Sequence, residues 1–136
     1  MSERVASCMC GQLSVRCRGE PDIVSICHCL ACQRRTGGVF GVSAFFSRAN
    51  VVETVGQSKV FGRTGEAGRR VTFNFCPECG GTVFWELDLA PAHVGVAVGA
   101  FADPSFSKPV RAVWTQSQHP WVTLPEGIAR FPQEES

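Results

Sequence analysis

The sequence predicts a mainly β domain with little helix, and three observations predict it. Short alternations of apolar and polar residues recur along the chain. Its 14 glycines and 8 prolines cut it into brief segments. Nowhere does a long, capped pattern of 3.6-residue period run. The length agrees: 136 residues make one typical domain, 1–136, able to bury a single core without help from disulfides.

The elements follow in order. Leu13, Val15 and Cys17 alternate with polar neighbours, as a half-buried strand does. Strands are expected over residues 22–27, 39–46, 58–62, 82–86 and 110–114, which are β-branched or aromatic runs bounded by Gly, Pro, Asn or Asp. Val71, Phe73 and Phe75 alternate with Arg70, Thr72 and Asn74, and Val94, Val96 and Val98 with Gly95 and Ala97. One short helical turn is expected over residues 30–35. By the same alternation Phe45, Phe46, Phe73, Phe75, Phe84 and Trp85 read as core, and core is also the reading for Trp114 and Trp121. Cys17 reads as a buried, inert thiol. There is no repeat, low-complexity stretch or linker, and the polar tail at 132–136 is expected to fray.

Composition narrows the function. An apolar fraction of 44% with 18% charged residues is that of a globular chain. A formal net charge of +1 gives no electrostatic reason to bind nucleic acid or a membrane surface. No apolar run approaches the roughly 18–20 residues that span a bilayer. The start, MSERVASCMCG, has no apolar stretch of signal-peptide length. The expected location is therefore cytoplasmic, where thiols stay reduced and closely spaced cysteines are more often metal ligands than bridges.

The 8 cysteines form three groups and one leftover, Cys17. Cys8-Met9-Cys10-Gly11 is a C-x-C-G knuckle, Cys27-His28-Cys29-Leu30-Ala31-Cys32 is C-H-C-x-x-C, and Cys76-Pro77-Glu78-Cys79-Gly80-Gly81 is C-P-x-C-G-G. Two thiolates on one tight loop reach the same tetrahedral ion at about 2.3 Å each. Glycine after the second ligand allows the sharp turn. Cys8 and Cys10 with Cys76 and Cys79 would close a four-thiolate zinc site and staple the N-terminal segment to the second half of the chain. Cys27, Cys29 and Cys32 would then make a three-thiolate site with its fourth position open, the pattern of a reactive metal. Spacing alone leaves another partition open, in which Cys27 and Cys32 pair with one of the knuckles.

Zinc held by three thiolates carries a charge near −1 and is a poor activator of water. Its open position suits a fourth sulfur, a substrate thiol, better than hydrolysis. Arg34 and Arg35, directly after Cys32, and Arg69 and Arg70, ahead of Cys76, would offset that charge or hold a carboxylate. Arg34 and Arg35 are the expected substrate-binding pair. His28 is the titratable group nearest the open site and the candidate catalytic proton donor; its other reading is a packed, neutral histidine. His93 and His119 read as structural or exposed.

The three cysteine groups in this order, followed by Gly99-Ala100-Phe101-Ala102-Asp103-Pro104 and by Trp121 and Phe131, resemble the glutathione-dependent formaldehyde-activating enzyme family, from Cys8 to about Phe131. The resemblance implies a β-tent fold of antiparallel sheets around a structural zinc held by Cys8, Cys10, Cys76 and Cys79. It implies a second zinc at Cys27, Cys29 and Cys32, where the thiol of glutathione binds, and formation of S-hydroxymethylglutathione from glutathione and formaldehyde. Gln33 stands where many members have arginine, and Phe101-Ala102 where Leu-Asp is usual.

The expected function is thus a zinc-dependent carbon–sulfur lyase-type enzyme acting on an adduct of formaldehyde, or a similar aldehyde, with glutathione or another small-molecule thiol. The alternative is a zinc module that binds a thiol or a protein partner without turnover. A redox role for the middle thiols is a weaker third.

Overall fold

In a computed structural model, residues 2–65 and 68–134 are described. The chain forms two compact units, each assembled from two segments: Met1–Asp22 with Ala44–Phe106, and Ile23–Ser43 with Ser107–Ser136. The expected fraying at 132–136 lies partly outside the described residues.

The first unit is almost all strand. β1 (Glu3–Ser7) and β2 (Ser14–Arg18) form a hairpin, and β5 (Val51–Val55) pairs with the far edge of β2. A second, antiparallel run joins β6 (Lys59–Thr64), β7 (Arg70–Phe75), β8 (Thr82–Leu87) and β9 (His93–Ala97) in sequence order. A 3-10 turn at Val98–Phe101 follows. Leu13, Val15 and Cys17 are fully buried, with Phe46, Val83 and Val96. The strong alternation of β2 is therefore a true core face. Burial raises the Cys17 thiol to about 11.

Pairing explains Gly95. It stands opposite Trp85 across β8 and β9, and a Cβ there would run into the indole. The missing side chain admits the large ring, which also meets Phe73 at 5.8 Å between centroids.

The second unit holds β3 (Ile23–Cys27), the helix α1 (Leu30–Thr36), β10 (Arg111–Val113) and β11 (Ala129–Arg130). β4 (Gly41–Ser47) crosses the division and gives its first residues to this unit. Here β10 runs parallel to both β3 and β11, so the sheets are mixed and not purely antiparallel. Parallel neighbours need a long connection, and the 44–106 excursion between β3 and β10 supplies it. Ile26, Ala112, Leu124 and Ile128 form the core, with Phe40, Val42 and Val122 packed on it.

Every expected strand is present within a few residues, and the turn at 30–35 is α1. β1, β5 and β11 were not anticipated. Their burial patterns are mostly exposed or intermediate, so their hydrophobic signal is weak. Six of the eight aromatic expectations need correction, and only Phe46 and Trp85 are buried. Trp121 is 71% exposed, because it sits in an irregular segment where alternation has no meaning. Phe45, Phe73, Phe75, Phe84 and Trp114 are only half-buried. No helix among the described residues is long and apolar enough to cross a membrane.

Candidate metal centres

The first centre is built from two hairpin turns of the first unit. Cys8 follows β1, and its backbone N–H donates to Leu13 O at 2.9 Å while Gly11 N–H donates to Cys8 O at 3.0 Å. Cys76 follows β7 and closes an equivalent loop, with Cys76 N–H to Gly81 O at 2.9 Å and Gly80 N–H to Cys76 O at 2.8 Å. Gly11 and Gly80 have φ of +82° and +79°, the left-handed turn that glycine enters without strain.

These loops bring Cys8, Cys10, Cys76 and Cys79 together, with all four sulfurs within 4.8 Å of one another. Cys10 Sγ lies 3.7 Å from both Cys8 Sγ and Cys76 Sγ. Four sulfurs bonded to one tetrahedral zinc at about 2.3 Å would be about 3.8 Å apart, so the donor set fits the ion. The sulfurs also receive donors that favour thiolates: Leu13 N–H reaches Cys8 Sγ at 3.2 Å, and Glu78 N–H and the Gln12 amide reach Cys76 Sγ at 3.3 and 3.2 Å. Burial opposes the charge on Cys76, but these and the Cys79 backbone N–H outweigh it and bring its thiol to about 6.

The second centre lies wholly in the second unit. Cys27 ends β3, Cys29 caps α1 and Cys32 lies in its first turn, and the three sulfurs are within 4.8 Å of one another. All three are partly exposed. Cys32 N–H donates to Cys29 Sγ at 3.3 Å. Hydrogen bonds from Cys27 and Cys32 hold the Cys29 thiol far below its ordinary range, whereas sharing with Cys29 and Cys32 raises Cys27. The trio behaves as one titrating set: the first proton leaves readily and later ones do not. A divalent cation would remove that limit, so the donor set fits zinc with an open position.

The neighbours of the trio have separate places. The Arg35 guanidinium and Cys32 Cβ both border Gly41, and the Arg35 charge favours the Cys32 thiolate. Arg34 is exposed and, with Leu30, Gln33, Gly38, Val39 and His119, lines a shallow depression of about 290 Å³. The two arginines read as a substrate-binding pair thus face different surroundings. Arg69 and Arg70 belong to the first unit, at the turn before β7 and its first residue.

His28 is fully buried, edge-on to Phe40 at 5.8 Å between centroids, and neither ring nitrogen has a hydrogen-bond partner among the described residues. Burial, and to a lesser degree His119, lowers its pKa and keeps it neutral. His93 is tied to Asp22 at 2.8 Å.

Sequence reasoning passed over two residues. Gln33 was noted only as a departure from a pattern, and His119 was read as structural or exposed. They meet, His119 Nε2 to Gln33 Oε1 at 3.0 Å, across a separation of 86 residues. No local signal announces such a contact.

A scan against protein families matches the chain over residues 3–117 to one described as "Glutathione-dependent formaldehyde-activating enzyme". A search of the curated proteins found no match. Among solved structures, the crystal structure of a Rhodobacter sphaeroides protein, a structural-genomics target, aligns with a TM-score of 0.56 at 16% identity, covering 93% of this chain and 98% of that one. At that identity the likeness speaks for the fold alone. The family match takes in both cysteine clusters and most of both units, and the chain belongs to the glutathione-dependent formaldehyde-activating enzyme family.

Proposed function

We propose that this chain, as a single zinc domain over 1–136, is a carbon–sulfur lyase-type enzyme that joins a small thiol, glutathione in the first instance, to formaldehyde or a similar aldehyde. The observation that carries the reading is the three-thiol cluster with no fourth protein donor among the described residues, in a chain that also has a complete four-thiol set. A zinc ion at Cys27, Cys29 and Cys32 would hold an incoming thiol as its thiolate. The overall change is redox-neutral: the sulfur–carbon bond forms, the carbonyl π bond opens, and the proton of the thiol ends on the new hydroxyl.

The chain's own residues divide the remaining work. Arg35, beside Cys32, offsets the negative charge of the sulfurs. Arg34, in the shallow depression with Gln33 and His119, offers a cation for a carboxylate of the thiol substrate. His28 is the proposed proton carrier: its buried, neutral imidazole would take the proton of the incoming thiol and, as imidazolium, return it to the new hydroxyl. Closely spaced reduced thiols support a cytoplasmic location for this activity.

The test is zinc per chain measured with and without glutathione, with a calorimetric titration of glutathione. One firmly held zinc, and a second that exchanges when glutathione binds, supports the reading. Two tight zincs with no glutathione binding would sink it and leave the fold untouched. His28→Phe then tests the proton carrier: a tenfold or greater fall in turnover with metal content intact supports the role, and unchanged turnover makes His28 a packing residue.

A further inference from the structure

We propose that Gln33 and His119 form a positioning pair that fixes the backbone of the three-thiol loop before metal arrives. The proposal rests on the reading that Cys27, Cys29 and Cys32 hold a metal. It adds the residues that set the geometry of that site from outside it.

The hydrogen bonds settle the roles of both Gln33 amide atoms and of His119 Nε2. Gln33 Nε2 donates to His28 O at 2.9 Å and to Ser117 O at 3.1 Å. Both partners are carbonyls, so the atom facing them must be the amide nitrogen, and its two protons are both used. The amide oxygen therefore faces His119. An oxygen without protons can only accept, so His119 Nε2 carries the proton of their 3.0 Å bond.

The His28 carbonyl is the point that matters. It lies in the peptide joining His28 to Cys29, between two of the three thiols. On its other side His28 N–H donates to Val113 O at 3.1 Å. Both peptide groups of His28 are thus pinned, one by β10 and one by Gln33, while its ring is sealed against Phe40. Cys27 and Cys29 leave a residue that cannot turn. Gln33 is itself on α1, so the helix that carries Cys32 is tied to the same carbonyl.

His119 supplies stiffness at the far end. Its carbonyl accepts from Val122 N–H at 3.1 Å, the Gln118 amide closes the same turn on Val122 O at 3.0 Å, and Trp121 stands edge-on to its ring. Outer partners of this kind hold ligands in place and are typically worth 10- to 100-fold in metal affinity. An arginine at position 33 would bring donors only, and could not accept from His119.

The experiment compares the full chain with Gln33→Leu, His119→Ala, His119→Gln and the Gln33→Leu/His119→Ala double variant. Cobalt(II) is loaded at both sites, and its visible spectrum and release to a chelator are followed. Release from the three-thiol site is expected to quicken 10- to 100-fold in Gln33→Leu, with shifted cobalt bands, while the four-thiol site is unchanged. His119→Ala should give a smaller effect, His119→Gln should restore part of it through an amide donor, and the double variant should be no worse than Gln33→Leu. Unchanged spectra and release rates in folded Gln33→Leu overturn the proposal. Backbone amide exchange over residues 27–33, measured with the four-thiol site loaded and the three-thiol site free of metal, separates the two ideas. If the wild-type trio takes up no cobalt, the metal reading fails, but at least tenfold faster exchange in Gln33→Leu still sustains the pinning. Equal exchange in wild type and Gln33→Leu overturns it.

Discussion

The two cysteine centres solve opposite problems with the same ligand. The four-thiol centre draws on two hairpin turns, after β1 and after β7, whose cysteines lie 66 residues apart. The three-thiol centre comes from one segment of six residues at a strand-to-helix junction. A site that joins distant segments ties stability to metal, because the metal closes a long loop. A site within one short segment closes almost no loop, and its backbone is held by ordinary hydrogen bonds. The first can be closed and inert; the second can give up or exchange a ligand without unfolding the chain.

The largest effect that should separate them is removal of one sulfur from each. Cys76→Ser is expected to lose a metal equivalent together with cooperative unfolding of the first unit, since structural zinc sites contribute on the order of 10 kcal/mol. Cys29→Ser is expected to lose one metal equivalent and keep the fold. Circular dichroism with metal analysis reads both, and collapse of Cys29→Ser to an unfolded chain would contradict the contrast.

Chelation should show the same order in time. A strong chelator is expected to strip the three-thiol site first with native structure retained, and the four-thiol site later with loss of structure. A single phase, in which metal and fold disappear together, would mean the two centres are not independent.

Packing gives a smaller effect. Leu13 is fully buried and its N–H meets Cys8 Sγ. Leu13→Ala should cost about 2–5 kcal/mol and quicken metal loss from the four-thiol site. Ile128→Val, in the core of the second unit, should cost only about 0.5–1.5 kcal/mol and leave that site's release rate alone. Denaturant melts with metal release report both, and equal acceleration by the two changes would break the assignment of cores to sites.

The smallest effect is electrostatic. His93, then Ser47, hydrogen-bond to the Asp22 carboxylate and hold its pKa below the ordinary value. A carboxyl lowered in the folded state stabilises the fold above its unfolded pKa, about 3.9, and that contribution is lost as pH falls through the lowered folded value. The group is exposed, so Asp22→Asn should cost less than about 1 kcal/mol, seen in melts at pH 6 and vanishing near pH 2. A cost that persists at low pH would show that packing, not charge, is responsible.

Much of the fold was legible. Residues 70–75 alternate and are β7; the run at 82–86 is β8; the turn after Cys29 is α1. Strands with one buried face write their period into the sequence. β1, β5 and β11 do not bury a clean face, and Trp121 lies where no period applies, so these were read poorly or not at all. The parallel placement of β10 beside β3 was invisible for another reason: no local pattern encodes which distant strand becomes a neighbour.

The sequence by itself marked out the candidate ligands. Thiol spacing and the glycines behind the knuckles are local constraints on how a short loop can turn around an ion, and local constraints survive in one dimension. Only the tertiary structure decided what surrounds the ligands. It gave Arg34 and Arg35 different neighbours, sealed His28 in the core, and brought His119 to Gln33, because these outcomes depend on which faces of remote segments pack together. The donor set of the three-thiol cluster was written in six residues; its surroundings had to wait for the chain to return from residue 117.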